Sequence, residues 1–267
     1  MMLVVLNNIL AIYRKELQGY FASPLAYAIA GVFWLVTGYF FIAILLGPDG
    51  LIQQVAYRDQ MGMTDPPIDL AYEFLQVYLR LIGTLSLFVL PMLSMGLYAE
   101  ERKRGTLELL ATSPLTNWAV ATGKLLGVLT FYVTMILPLM ALEALALSVS
   151  NPPLSPQVFL LAHLGLMLFA AGVLSLGMFI SSLTDSTILS AVFTFALILF
   201  LWVIDLIGSS VGGILGEGLK HLSLISSYTN FIRGIVDSSS IILLVSYMIL
   251  GIFLTAQSID ALRFQRS

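Results

Sequence analysis

Apolar residues fall into six runs long enough to cross a bilayer, separated by short polar segments. A spanning helix needs about 20 predominantly apolar residues. Residues 25–46, 74–98, 118–148, 158–182, 188–208 and 241–260 meet that requirement. The third run is longer than a bilayer needs, so it is expected to tilt or to project beyond the headgroups. Pro91 and Pro138 lie inside runs two and three, where neighbouring groups must take up the carbonyls that proline frees. Ahead of the first run the pattern changes. Leu3, Leu6, Leu10, Tyr13, Leu17 and Tyr20 recur at steps of three and four, while Asn7, Asn8, Arg14, Lys15 and Gln18 occupy other faces. That spacing predicts an amphipathic helix over residues 2–22 lying in the membrane interface and stopped by Ser23-Pro24. Its basic residues follow the apolar stretch and no small-residue cleavage pattern comes after, so it does not read as a secretory signal. Such a helix either serves as a simple anchor or passes a push from a partner into the first span.

Composition agrees with the pattern. Of 267 residues, 59% are hydrophobic and 10% charged, with a mean hydropathy of +0.97. A soluble domain carries roughly 25% charged residues and could not cover so much apolar surface. The predicted fold class is an all-α polytopic membrane protein, a single transmembrane domain over residues 1–267. The net charge of −3 and the lack of a basic run give no footprint for nucleic acid. With no cysteine, disulfides, thiolate metal sites and cysteine nucleophiles are all excluded. Orientation follows from the basic residues. With both termini cytoplasmic, the inner side holds Arg14, Lys15, Arg102, Lys103, Arg104, Lys124, Arg263 and Arg266, and the outer side Arg58, Lys220 and Arg233. Eight against three places both ends inside. The outer loop over residues 47–73, with Asp65-Pro66-Pro67, reads as an irregular acidic cap. Residues 209–240 are too polar to span; a short interfacial helix within 222–235 and a plain loop both fit.

The inner loop at 99–117 carries the most information. Five consecutive charges, Glu100-Glu101-Arg102-Lys103-Arg104, mark the membrane surface, and Gly105 breaks that helix. Thr106 is placed to cap a second helix, with Glu108 in its first turn where a carboxylate favours the dipole. Leu107, Leu109 and Leu110 make one side apolar, Ser113-Pro114 ends it, and Asn117 is placed to cap the next span. A mere connector would manage with two or three basic residues. Three leucines on a capped helix need lipid headgroups or a protein to pack on.

The run from Glu100 to Leu115, with Gly123-Lys124 after it, resembles the signature of ATP-binding-cassette type-2 permeases. It is most similar to the branch containing the gliding-motility permease and the copper-processing permease of nitrous-oxide reductase maturation. Arg14-Lys15-Glu16 with Ser23-Pro24 resembles that family's entry helix, and the segment from Phe231 to Ser238 resembles its stretch before the last span. The 47–73 loop departs from the family, so substrate does not carry over. The resemblance implies an exporter half in a bacterial inner membrane, pairing with a second permease chain, identical or different. A cytoplasmic ATPase subunit would bind ATP and magnesium, and this chain would hold no cofactor of its own. The 99–117 loop would carry the coupling helix, with Glu100, Glu101, Arg102 and Arg104 as charged contacts. Gly105, Thr106, Leu107, Glu108, Leu109, Leu110 and Pro114 would form the docking element. Arg14, Lys15 and Glu16 would belong to a connecting helix, and residues 181–186 would make a smaller second contact.

The residues themselves support that division of labour. The phosphate-loop pattern G-x-x-x-x-G-K-[ST] is missing; at the nearest approach, Gly123-Lys124, the earlier glycine position holds Trp118 and the following residue is Leu125. Enzymatic rivals lack their motifs as well. His163 and His221 are isolated, no H-E-x-x-H or G-x-S-x-G occurs, and Asp185 and Asp205 are too far apart in depth for an aspartyl pair. A channel or a structural subunit of an envelope or motility complex would account for six spans equally well, but gives no reason for the capped inner helix. Within the spans lie Arg80, Glu143, His163 and Asp205. Each costs on the order of 2.5–3.5 kcal/mol at the bilayer centre on insertion scales. All four are expected roughly 5–10 Å inside the outer ends of their helices. They form either a structural ion pair or a polar outer gate, with Arg80 as the natural partner for Glu143 or Asp205.

Overall fold

Ser23-Pro24 does what the sequence asks of it. The Ser23 hydroxyl accepts a hydrogen bond from the Ala26 amide (3.3 Å), and Pro24 occupies the first turn, where a missing amide hydrogen costs nothing. In the computed structural model, which describes residues 2–62, 69–107, 116–211, 213, 216 and 222–264, the described secondary structure is helical. Helix α1 spans Met2–Ala22, α2 Pro24–Leu46, α3 Leu51–Gln60, α4 Leu70–Ser94 and α5 Gly96–Lys103. Helix α6 then spans Asn117–Leu147, α7 Pro156–Leu183, α8 Thr187–Val211, α9 Leu224–Ile232 and α10 Ser238–Phe264. Six of these helical stretches, those built on α2, α4, α6, α7, α8 and α10, are long and apolar enough to cross a membrane. The chain is an all-α polytopic membrane protein.

Helix α7 is the centre of the bundle and packs against α4, α5, α6, α8, α9 and α10. Its core residues include Leu166, Phe169, Val173, Leu174 and Met178, all essentially inaccessible. Helices α2, α8 and α10 instead turn rows such as Val32-Leu35-Tyr39, Ile188-Val192-Phe193 and Ile242-Ile249-Phe253 outward. In water such rows would be a liability; in a bilayer they are the lipid-facing surface or a subunit interface.

The structure corrects the sequence reading at three places and adds a break at a fourth. The second apolar stretch runs past Tyr98, from Leu70 to Lys103, but it is broken on the way: α4 stops at Ser94 and α5 starts at Gly96. Pro91 lacks the amide hydrogen that would bond one turn back, and the helix breaks one turn later. The 47–73 loop is not irregular throughout, because Leu51–Gln60 is helical, while Pro66-Pro67 lies outside the described residues. Asn117 does not cap α6; its amide donates to Asp260 Oδ1 (2.6 Å) and ties the start of α6 to α10. Finally, α1 does not lie alone on the membrane surface. Ile12, Glu16 and Tyr20 meet Gly123, Gly127 and Phe131 in turn, so α1 runs alongside the first turns of α6 in the same direction. Leu3, Leu6 and Leu10 stay exposed on its other side.

Between residues 222 and 235 the helical alternative holds. Ser223 caps α9 by accepting from the Ser226 amide (3.0 Å), and Tyr228, Phe231 and Ile232 are buried against the bundle. The Tyr228 hydroxyl donates to the Leu79 carbonyl (2.6 Å), anchoring α9 to α4.

Candidate functional site

Gly123 and Gly127 stand four apart on α6, and both face α1. A Cβ on Gly123 would lie 2.8 Å from Ile12 Cβ and 3.0 Å from the Ile9 carbonyl oxygen; one on Gly127 would lie 2.8 Å from Glu16 Cβ. Small residues at this spacing let two backbones come close. That approach brings Glu16 within reach of Lys124, which is 1% exposed although it is a lysine. A lysine ammonium has three N–H donors, and Lys124 Nζ places them on Glu16 Oε1 (2.9 Å), Glu101 Oε1 (2.9 Å) and the Leu97 carbonyl (2.8 Å). It also lies 4.9 Å from the centre of the Tyr98 ring, within cation–π range. Lys15 Nζ adds a further contact to Glu101 Oε1 (3.2 Å), so two ammoniums and two carboxylates balance. One buried lysine thereby ties together α1, α5 and α6.

Lys15 is the exposed edge of this cluster. Burial opposes its charge, but the Glu101 and Glu16 carboxylates outweigh that and raise its pKa above the ordinary value. A raised lysine pKa contributes stability that is present below the ordinary value and lost only as pH climbs through the higher folded one. Lys15 therefore keeps its charge around neutral pH.

The break between α4 and α5 is closed by side chains from other helices. The Tyr20 hydroxyl of α1 donates to the Leu93 carbonyl (2.5 Å). Burial first, then the Glu16 and Glu100 charges, push the Tyr20 pKa up, so it stays a donor. From α7, Ser181 Oγ donates to the Met95 carbonyl (2.8 Å) and accepts from the Tyr98 and Ala99 amides (3.1 and 3.0 Å). Arg102 reaches the Ser182 carbonyl (2.9 Å) at the end of the same helix. Groups that the break leaves open are thus matched one by one, as buried backbone requires. Helix α5 ends as the sequence predicts: Gly105 has φ +69°, and the Thr106 amide donates to the Glu101 carbonyl (2.9 Å) in a Schellman-type closure.

This geometry sorts the charged run into two faces. Glu101 and Arg102 turn inward onto partners within the chain. Glu100 and Arg104 point outward, linked to each other at 3.4 Å, with Lys103 exposed beside them. Thr106 is exposed and Leu107 is buried in the chain's own core. Glu108, Leu109, Leu110 and Pro114 lie outside the described residues. In the 181–186 turn, Ser181 and Ser182 are buried while Leu183 and Asp185 are exposed.

The family model for the ABC-2 family transporter protein matches residues 68–257, the stretch from the start of α4 into α10. The chain belongs to that family. No curated protein matches it. ABC-2 chains are in general membrane permeases without catalysis of their own, partnered by an ATPase subunit. In this ABC-2 permease, Glu101 and Lys124 fall inside the matched stretch and Glu16 on α1 falls outside it.

At the opposite end of the ABC-2 permease, the intramembrane charges do not assemble as the sequence suggests. Glu143, fully buried, faces His163 of α7 with Oε1 3.6 Å from Nε2, and neither carboxylate oxygen has a hydrogen-bond partner. His163 Nδ1 is 2.9 Å from the Phe159 carbonyl, so this nitrogen carries a proton and Nε2 is left to face the carboxyl. Glu143 therefore pairs with His163, not with Arg80. Among the described residues Arg80 has no carboxylate partner and is exposed; the Asp205 side chain lies outside the described residues. Among the described residues no group of three His, Asp or Glu side chains could hold a metal.

Sequence reasoning counted Lys124 among the charges that fix topology and gave Ser181 a place only in the 181–186 contact with a partner. The signal was there: a lysine directly after the first glycine of Gly123-x-x-x-Gly127, at the entry of an apolar run, is poorly placed for solvent.

Proposed function

We propose that this chain is the permease subunit of an ATP-driven exporter, one transmembrane domain over residues 1–267 that works as a pair of identical or different chains. The basic-residue count supports both termini, α1 and α5 on the cytoplasmic side, and the family resemblance supports a bacterial inner membrane. Closure of two ATPase subunits on bound ATP would push on residues 105–113, the coupling helix, and on α1, the connecting helix. The spans would then rock about the subunit interface. Within the family, the resemblance of the motif from Glu100 to Leu115 supports a member of the gliding-motility and copper-processing branch.

The observation that carries this reading is the Lys124 ammonium, whose three donors join α1, α5 and α6 immediately beside the loop that would meet the ATPase. A push on either α1 or the loop reaches the start of the third span through rigid, charge-assisted bonds instead of through flexible connectors. Glu100, Lys103 and Arg104 are left outward for docking, while Glu101 and Arg102 transmit. The test is hydrogen exchange across Leu224–Ile232 at the far end of the bundle. In the permease–ATPase complex, ATP should change exchange there. Glu101→Gln should keep the ATPase subunit and its hydrolysis but lose that change; an undiminished response would remove Glu101 from the route.

A further inference from the structure

Helices α4, α7, α8 and α9 enclose a cavity of about 210 Å³ beside Arg80. Its walls include Phe88, Phe169, Phe195, Trp202 and Tyr228. The Tyr228 hydroxyl is turned away onto the Leu79 carbonyl, so the ring presents an apolar surface. Phe88 and Trp202 are also exposed on the outer surface of the bundle, which opens the cavity sideways. Pockets that take drug-sized molecules measure roughly 300–1,000 Å³. This one is too small for a bulky drug or a sugar chain, and its lining suits a slim apolar chain. Among the described residues of the wall, Arg80 supplies the formal charge. It is exposed, lies on the same half of α4 as the α9 contact, and has no carboxylate among the described residues to neutralise it. An exposed guanidinium within a spanning helix needs an anion, and its planar fork matches a phosphate oxygen pair.

We infer that this cavity is a binding site for an anionic phospholipid, with one acyl chain entering between α4 and α8 and its phosphate held by Arg80. The site draws on a different end of the molecule from the Lys124 cluster and does not depend on any ATPase, so it is read on the full-length chain alone. Trp202 provides the probe. With Trp34→Phe and Trp118→Phe it becomes the sole tryptophan, since the chain has three. The protein is reconstituted in phosphatidylcholine vesicles containing increasing fractions of phosphatidylglycerol or phosphatidylcholine brominated on the acyl chains, and Trp202 emission is recorded.

The expected result is half-quenching at a phosphatidylglycerol fraction about fivefold lower than for phosphatidylcholine, the ratio that a single modest charge-assisted contact gives. Arg80→Gln should merge the two curves, and Arg80→Lys should restore part of the separation, which shows that the fold persists. Thr84→Phe, which fills the cavity from α4, should weaken quenching by both lipids. Equal quenching by both lipids in the parent protein would overturn the inference. So would a preference that survives Arg80→Gln. Absence of quenching by either lipid would overturn it as well, since a second copy or another chain would then cover the opening.

Discussion

Lys124 and Glu143 are both buried ionisable residues on α6, 19 positions and therefore about 28 Å apart. Lys124 has every donor matched, two of them to carboxylates, with an aromatic ring alongside. Glu143 has a single histidine at 3.6 Å and two oxygens without hydrogen bonds. Desolvating an ion costs several kcal/mol, and only good geometry with further hydrogen bonds offsets it. The Lys124 ammonium meets that condition, although the buried Glu101 Oε2 has no hydrogen-bond partner, and it so holds three helices in one arrangement. The Glu143 pair does not meet the condition. The first ties three helices together; the second fixes how α6 meets α7.

The difference ranks the substitutions. Lys124→Met should have the largest effect, because it leaves Glu16 and Glu101 facing each other with their central cation gone. Removing one partner of a buried pair costs about 3–5 kcal/mol. A fall in melting temperature of the purified protein in detergent should report it, and adding Glu16→Gln and Glu101→Gln should recover part of the loss. Full stability in Lys124→Met alone would show that the cluster holds nothing together. Next comes Gly127→Leu, which drives a side chain into Glu16 and α1. Overpacking of this kind costs about 1–3 kcal/mol, and protease cleavage within Met2–Ala22 should accelerate.

Glu143→Gln should be much milder. The amide keeps the shape, and no matched hydrogen bond is lost, so stability should change by no more than about 1 kcal/mol. A loss as large as that of Lys124→Met would erase the contrast between the two sites. Smallest of all is Arg104→Ala. Its pair with Glu100 is mostly exposed, and such pairs contribute about 0–1 kcal/mol. Melting should hardly move, while capture of the ATPase subunit should weaken if this outward face docks it.

Much of the fold can be read from spacing, because a bilayer imposes one length and one composition on every span. The six apolar runs, the Ser23-Pro24 start and the Gly105 stop all appear in the helices. What could not be read is which helix each polar group answers. The break at Met95 depends on Ser181, Tyr20 and Lys124, which are remote in sequence and come together only through packing around α7. Arg80 looked like a partner for Glu143 because the two share a depth, but depth does not fix azimuth, and His163 is the neighbour across the α6–α7 contact. The Leu51–Gln60 helix was hidden by its polar composition, since Gln53, Gln54, Arg58 and Asp59 read as loop when no apolar stripe accompanies them.

The most direct measurement is co-purification. A C-terminally tagged chain is taken from native membranes in mild detergent, and its companions are identified by mass spectrometry. A stoichiometric subunit carrying a phosphate loop, lost when residues 105–113 are deleted although the deleted chain still inserts, is the predicted result. Recovery of this chain without any ATPase under several gentle conditions, or an ATPase that stays bound after the deletion, would contradict it.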